Sequence, residues 1–325
     1  VSPDLSIVIP VYNEAANIAP LALRLRAVLD ALPYTAEVLF VNDGSRDDTL
    51  ARLRALADTW PAVRVIDLSR NFGKEAALTC GLSEARGRAV IAMDGDLQHP
   101  PETIPELVAR WRDGYEMVFA QRRNRADQDL PSRLFVRAFY WVFDRLSEVR
   151  LPRDAGDFRL FDRKVVDALN ALPERNRFMK GLYAWIGFRT AAVSFSCAER
   201  ASGRSKWNRF RQLRFAVDAL TAFSNLPLRI FGLAGVIVST LAFLYIVIRL
   251  VRVLIYGIDV PGYESILAVV LFLGGVQLIS LGVIGDYLGR VFNETKQRPL
   301  YIVRERYQAP SLAVRAKDLS VDETA

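Results

Sequence analysis

The sequence predicts an α/β fold, a parallel-rich sheet flanked by helices, followed by interfacial segments and a C-terminal hairpin of two transmembrane helices. Three observations predict it. Short apolar runs beginning at Leu5, Glu37, Val63 and Ala89 alternate with helical patterns at Ala19–Leu32, Thr49–Asp58 and Lys74–Ala85, the succession that builds βαβ units and a parallel sheet. Each apolar run ends in a polar cluster, and in open α/β sheets ligands lie outside the carboxyl ends of the strands. Finally, Leu228–Ile248 carries one charge, Arg229 at its edge, and Ile266–Gly285 carries none. Each is long enough to cross a hydrocarbon core about 30 Å thick.

The first strand starts at Leu5, breaks at Pro10 and leaves Tyr12, Asn13 and Glu14 at its end. The second runs from Glu37 and ends in Asp43 and Gly44; the third, Val63–Leu68, is followed by Ser69-Arg-Asn-Phe-Gly-Lys74. The fourth begins at Ala89 and stops in Asp94-Gly95-Asp96. Strand alternation sends side chains two apart the same way, so both carboxylates are expected on one side. Two hard oxygen ligands suit Mg²⁺ or Mn²⁺, which complete their shells with substrate phosphates and water, the chemistry of a nucleoside diphosphate site. Asp and Gly also favour ordinary turns; what favours a ligand is that all four clusters fall on one edge. A dinucleotide fingerprint and a P-loop are both excluded: the first strand is followed by Pro10-Val-Tyr-Asn-Glu14, and Gly73-Lys74 by Glu75.

The two apolar runs are joined by Gly257–Glu264, which has no Lys or Arg, whereas Arg290, Lys296, Arg298, Arg304 and Arg306 follow the second run. By the positive-inside rule the sheet domain and tail are expected in the cytoplasm. Arg249 and Arg252 run against this unless they snorkel to the outer headgroups. Gly235, Ser239, Gly285 and Gly289 are spaced for close helix packing, within one hairpin or in a homo-oligomer. The chain has 325 residues and a formal charge of +7. The stretch 131–149 interleaves aromatic and basic residues, as an interfacial helix would; an ordinary core-facing helix fits it as well. Arg200–Arg214 is strongly basic and leads directly into the first apolar run, which favours a membrane partner over nucleic acid. Cys80 and Cys197 are expected as reduced thiols, His99 as a turn residue before Pro100-Pro101, and no signal peptide is expected because the chain opens into a strand without a basic leader.

Val8-Ile-Pro-Val-Tyr-Asn-Glu14, Val41-Asn-Asp-Gly-Ser-Arg-Asp-Asp-Thr49, Arg70-Asn-Phe-Gly-Lys74 and Asp94-Gly-Asp-Leu-Gln98 resemble glycosyltransferase family 2. Asp154-Ala-Gly-Asp-Phe-Arg-Leu-Phe-Asp-Arg163 and Arg200-Ala-Ser-Gly-Arg-Ser-Lys-Trp207 are similar to the branch of dolichol-phosphate mannose synthases and bacterial polyprenyl-phosphate glucosyltransferases. The resemblance implies a GT-A type fold, a nucleotide-sugar donor, with a UDP-sugar favoured over a GDP-sugar, Mg²⁺ or Mn²⁺, and a polyprenyl phosphate acceptor at the inner membrane. It divides the chain into a catalytic domain (1–199), a basic juxtamembrane acceptor segment (200–227), two transmembrane helices (228–289) and a cytoplasmic tail (290–325). It implies that Pro10, Tyr12, Glu14, Asp43, Lys74 and Asp94 hold the nucleotide, that Asp96 with Asp94 binds the metal, and that Gln98, Arg122, Arg125, Arg200, Ser205 and Lys206 serve the sugar or acceptor phosphate.

The family pattern also makes Asp157 the catalytic base, yet the nucleophile is a phosphate monoester whose second pKa is near 6. It is largely ionised at pH 7, so Asp157 is equally read as a residue that positions the metal or acceptor. The expected reaction is inverting transfer of a single hexose, glucose favoured. Alternatives are a GDP-mannose-dependent synthase and a non-catalytic nucleotide-sugar or lipid-binding protein. A processive polysaccharide synthase is disfavoured because the Gln-x-x-Arg-Trp motif is absent.

Overall fold

A computed structural model describes residues 2–122, 155–175, 177–195, 226–256 and 262–308. The chain divides into two units, one built around a sheet and one around the helices of 209–297.

The sheet unit begins β1 (Leu5–Val11), α1 (Ala15–Asp30), β2 (Ala36–Asn42), α2 (Thr49–Thr59), β3 (Val63–Leu68), α3 (Lys74–Glu84) and β4 (Ala89–Ala92). These strands pair in parallel, β4 and β2 flanking β1 and β3 lying beyond β2. A short 3₁₀ turn (Pro101–Thr103), α4 (Ile104–Arg112) and β5 (Met117–Arg122) follow, then β6 (Ala155–Asp162), α5 (Arg163–Ala171), α6 (Met179–Trp185) and β7 (Thr190–Phe195). β6 lies antiparallel between β4 and β5, and β7 adds to β5 in parallel. With β8 (Val303–Tyr307), the eight strands run in the order β7-β5-β6-β4-β1-β2-β3-β8.

The central strands are buried on both faces, as helix-covered parallel strands must be. Ile7, Ile9, Val38, Phe40 and Val65 join Leu21, Leu25, Leu53 and Leu107 of α1, α2 and α4 in one layer. The alternate residues meet α3, which packs so closely that a Cβ on Gly81 would stand 2.1 Å from Val8 Cγ1.

Three expectations need correction. β1 does not break at Pro10 but continues to Val11. The Val8 carbonyl accepts the Met93 N–H, so Pro10, two residues on, faces the same side, where β4 has already ended at Ala92. No neighbour there needs the missing N–H, so the proline is tolerated. α1 starts at Ala15 rather than Ala19, with Pro20 inside the helix. The segment after the apolar runs is not merely a tail: Val303–Tyr307 is the eighth strand, antiparallel to β3.

The second unit holds α7 (Leu226–Tyr256) and α8 (Tyr263–Thr295). Both helices outrun the expected apolar stretches, and α8 continues past Gly285 through an Asp286–Arg290 pair at 3.2 Å. Among the described residues one segment, Phe272–Thr295, is long and apolar enough to cross a membrane; α7 contributes a shorter apolar run, Gly235–Tyr245. Val236, Phe243, Leu244, Phe272, Leu278 and Ile284 are exposed, and so many large apolar side chains in water on two helices point to a lipid or protein partner.

Candidate active site

The carboxyl ends of the parallel strands gather the polar clusters, and the reversal at β6 adds one more. Ala92 of β4 pairs with Arg159 of the antiparallel β6. The start of β6 therefore lies beside the end of β4, which brings Asp157 next to Asp94. Lys74, the first residue of α3, enters from the adjacent loop. Its Nζ lies 2.6 Å from Asp94 Oδ1 and 2.6 Å from Asp157 Oδ2.

The charges around this triad set its protonation. Burial alone would raise Asp157, but Lys74, Lys180 and Arg159 outweigh it and hold the carboxyl well below the usual range. Burial would lower the Lys74 ammonium, and the flanking Asp94 and Asp157 raise it above the ordinary lysine value. Glu75, the next residue, feels the opposite field. Burial first, then the Asp157 charge, push it up to about 8 against the pull of Lys74 and Lys180. Oδ1 of Asp157 is buried without a hydrogen-bond partner, so one acceptor of this anionic group remains to be met.

Asp94 and Asp96 do not sit on the strand, which ends at Ala92. They lie in the bend after it, where Asp96 Oδ1 accepts the Gln98 N–H at 3.1 Å and Leu97 adopts a positive φ of 63°. The expectation that both carboxylates lie on the strand is therefore replaced by a turn that carries them. His99 braces this turn. Its Nδ1 accepts the Asp94 N–H at 3.0 Å, and its ring stacks on Phe158 at 5.1 Å.

A few residues along the sheet edge, Tyr12 is more than one-third exposed and Glu14 accepts from Asn17 Nδ2 at 2.5 Å. Asp43 is 3 % exposed. Its oxygens accept from the Phe72 N–H at 2.7 Å and the Gly73 N–H at 3.0 Å, and burial, the largest effect, leaves its carboxyl raised despite them. Asp43 thus anchors the loop that delivers Lys74. Gly44, at φ 63°, passes so near this loop that a Cβ would stand 2.4 Å from the Arg70 carbonyl carbon.

The structure brings together Lys74, Asp94 and Asp157, with Asp96 and Gln98 in the adjoining turn. Arg122 ends β5, paired in register with Phe195. Arg125, Arg200, Ser205 and Lys206 lie outside the described residues, as do Cys197 and the 131–149 and 200–225 segments. Cys80 is a free buried thiol, as expected, pushed by burial up to about 12. Sequence reasoning missed Glu75, Lys180 and Arg159. Glu75 adjoins a motif residue, but nothing in its spacing marks it; Lys180 and Arg159 act through the field of the fold.

The family model of glycosyl transferase family 2 matches residues 6–169, the segment that carries Lys74, Asp94, Asp96 and Asp157. The chain belongs to glycosyltransferase family 2. A second model, the GtrB C-terminal hairpin, matches 226–291 and so covers α7 and most of α8. An uncharacterized glycosyltransferase of Synechocystis sp. is 49 % identical over 302 residues, 93 % of this chain and 95 % of the relative. A bactoprenol glucosyl transferase of Shigella phage SfV is 42 % identical over 94 % of this chain and 99 % of the relative. A prophage-derived bactoprenol glucosyl transferase of Shigella flexneri is 41 % identical over 94 % and 98 %. This family 2 enzyme is a glycosyltransferase of GT-A type with a membrane-associated hairpin.

Proposed function

We propose that this glycosyltransferase moves one glucose, with inversion, from a UDP-sugar to a polyprenyl phosphate at the cytoplasmic face of the inner membrane. The observation that carries the reading is the Lys74–Asp94–Asp157 cluster at the strand ends, combined with whole-length relatives named for bactoprenol glucosyl transfer.

The cluster fits a divalent cation. Asp94, Asp96 and Asp157 offer hard oxygen donors, and Asp157 Oδ1 is a buried acceptor with nothing to accept from. Among the described residues no three His, Cys, Asp or Glu side chains are arranged to hold a metal by themselves, so a cation bound here would take the rest of its shell from phosphates and water. Asp96 and Asp94 would hold Mg²⁺ or Mn²⁺, which when bound neutralises the departing diphosphate. Tyr12 offers a flat face for the base, with Pro10 and Glu14 beside it. Lys74, which pairs with the carboxylates of Asp94 and Asp157, would serve the diphosphate as well. Gln98, Arg122, Arg125, Arg200, Ser205 and Lys206 are assigned to the sugar or acceptor phosphate.

The Asp157 carboxylate is too weak a base for proton abstraction to be its task, and the acceptor phosphate needs little help to ionise. Its work is positioning. Paired with Lys74, it would help hold an anionic nucleophile in line with C1, where orientation alone removes much of the barrier.

Two features support the orientation. Strands from before and after the helical pair share one sheet, so a chain that leaves this domain into the bilayer returns to the same side. The loop between the helices lacks Lys and Arg, while basic residues follow α8, as expected for a cytoplasmic domain.

The test is a donor panel. Purified enzyme in neutral detergent, with Mn²⁺ and undecaprenyl phosphate, is offered UDP-glucose, other UDP-hexoses and GDP-mannose, and the lipid is read by mass spectrometry. One hexose per lipid from UDP-glucose is expected. Transfer from GDP-mannose alone would replace the glucose reading, and an unmodified lipid with every donor would overturn the proposal.

A further inference from the structure

The residues that follow α8 reach back to the donor site through a continuous chain of side chains. In β8, Arg304 and Arg306 stand two residues apart and take different partners. Arg306 pairs with Glu84 at the end of α3, 2.7 Å away. Arg304 behaves differently: its Nη1 lies 3.3 Å from Asp67 Oδ2, and its Nη2 donates to the Ser69 carbonyl. The Ser69 N–H in turn donates to Ile302 at 2.9 Å. The pairing of β3 with β8 shifts register between Asp67 and Leu68, an irregularity of the kind that re-aims side chains.

Asp67 is a carboxylate only 3 % exposed inside the sheet, and such a group is costly without a cation and hydrogen bonds to meet it. Its second oxygen, Oδ1, accepts from Asn42 Nδ2 at 2.7 Å. That bond fixes which end of the fully buried Asn42 amide faces the next turn. Asn42 Oδ1 accepts the Ser45 N–H at 3.3 Å, and Ser45 Oγ accepts the Asn13 N–H at 2.9 Å. Asn13 sits at φ 54° between Tyr12 and Glu14, and its Oδ1 accepts the Arg46 N–H at 2.8 Å. Five residues therefore link the strand after the helical pair to the loop that presents Tyr12.

We propose that Arg304 is a positioning residue of the donor site: by pairing with buried Asp67 it orients Asn42 and Ser45 and thereby holds Asn13, Tyr12 and Glu14 for a nucleoside diphosphate. The same cation ties down the Ser69 end of the loop that delivers Lys74. The strand beyond the hairpin is thus a working part of nucleotide recognition. The inference rests on the reading of Tyr12 and Glu14 as the nucleoside site.

The test uses the full chain in neutral detergent, with UDP and GDP titrated calorimetrically in the presence of Mn²⁺, and with initial rates against donor and acceptor. Arg304→Ala is expected to weaken nucleotide binding by about tenfold, the scale of one charge-assisted hydrogen bond. The donor KM should rise while the acceptor KM stays put. Arg304→Lys should recover part of the loss. Arg306→Ala, which strips a cation from the same strand without touching Asp67, should bind nucleotide like the wild type even where its melting temperature falls. Asp67→Asn reads the same link from the other end, and decides the matter where Arg304→Ala does not fold; it too should weaken binding. Wild-type nucleotide affinity in Arg304→Ala, or in Asp67→Asn if the first variant is lost, would overturn the inference alone. Equal weakening in Arg306→Ala would reduce β8 to a structural role and overturn it as well. A wild-type chain that binds neither UDP nor GDP would overturn the donor-site reading, and this inference with it.

Discussion

The Lys74 ammonium stands 2.6 Å from Oδ2 of Asp157, and this contact decides what Asp157 can do. A carboxylate paired with Lys74 and flanked by the charges of Lys180 and Arg159 is held well below its ordinary pKa. Such a group holds a proton poorly. It is suited to aligning cations, and through them an anionic acceptor.

Removing that cation is the first expected loss. Lys74→Ala leaves Asp94 and Asp157 facing each other without their shared partner, so the Asp157 carboxyl should rise toward the usual range. Turnover should fall by about ten- to a hundredfold, the scale of one or two charge-assisted contacts, and the acid limb of the pH–rate profile should move upward. Unchanged activity and an unchanged acid limb in steady-state assays would count against the pairing.

Glu75 predicts a pH dependence of stability. Its carboxyl rises from an ordinary 4.5 to about 8 because of burial first and the Asp157 charge second. The folded state therefore binds a proton that the unfolded chain releases, and stability falls as pH rises through the window from about 4.5 to about 8. With chelator present, the melting temperature should decline across that window in the wild type and decline less in Glu75→Gln. Parallel curves for the two proteins would contradict this.

The metal carries a separate prediction. Asp96→Asn should remove nearly all turnover while the melting temperature stays close to wild type, because Asp96 lies in a turn and accepts the neighbouring Gln98 N–H, a bond the Asn side-chain oxygen can keep. EDTA should abolish wild-type transfer and Mn²⁺ or Mg²⁺ should restore it. Full transfer in chelator would exclude a metal-assisted departure of the diphosphate.

Much of this arrangement was legible in the sequence, because local chemistry wrote it. The four apolar runs are strands β1 to β4, and their polar ends fall on one edge as the βαβ pattern requires. Where the reading failed, the cause was tertiary. Pro10 looked like a strand breaker, but the neighbouring strand ends before it is needed. Asp94 and Asp96 looked like strand residues, but the chain turns at Met93, with the His99 ring supporting the Asp94 N–H. Arg304 and Arg306 were read as charges marking a membrane side, since nothing local shows that they pair with Asp67 and Glu84 on distant elements. Asp157 was found through its motif; that Lys180 and Arg159 set its charge became visible only once β6 and α6 were in place.

The measurement that tests the central claim most directly is the pH–rate profile of Asp157→Asn beside the wild type, with undecaprenyl phosphate and Mn²⁺ in neutral detergent. If Asp157 positions an already ionised acceptor, the variant's loss should stay flat above pH ~7, since the acceptor's second proton leaves near pH ~6. Recovery of the variant's rate as the pH rises would mean that Asp157 takes a proton after all.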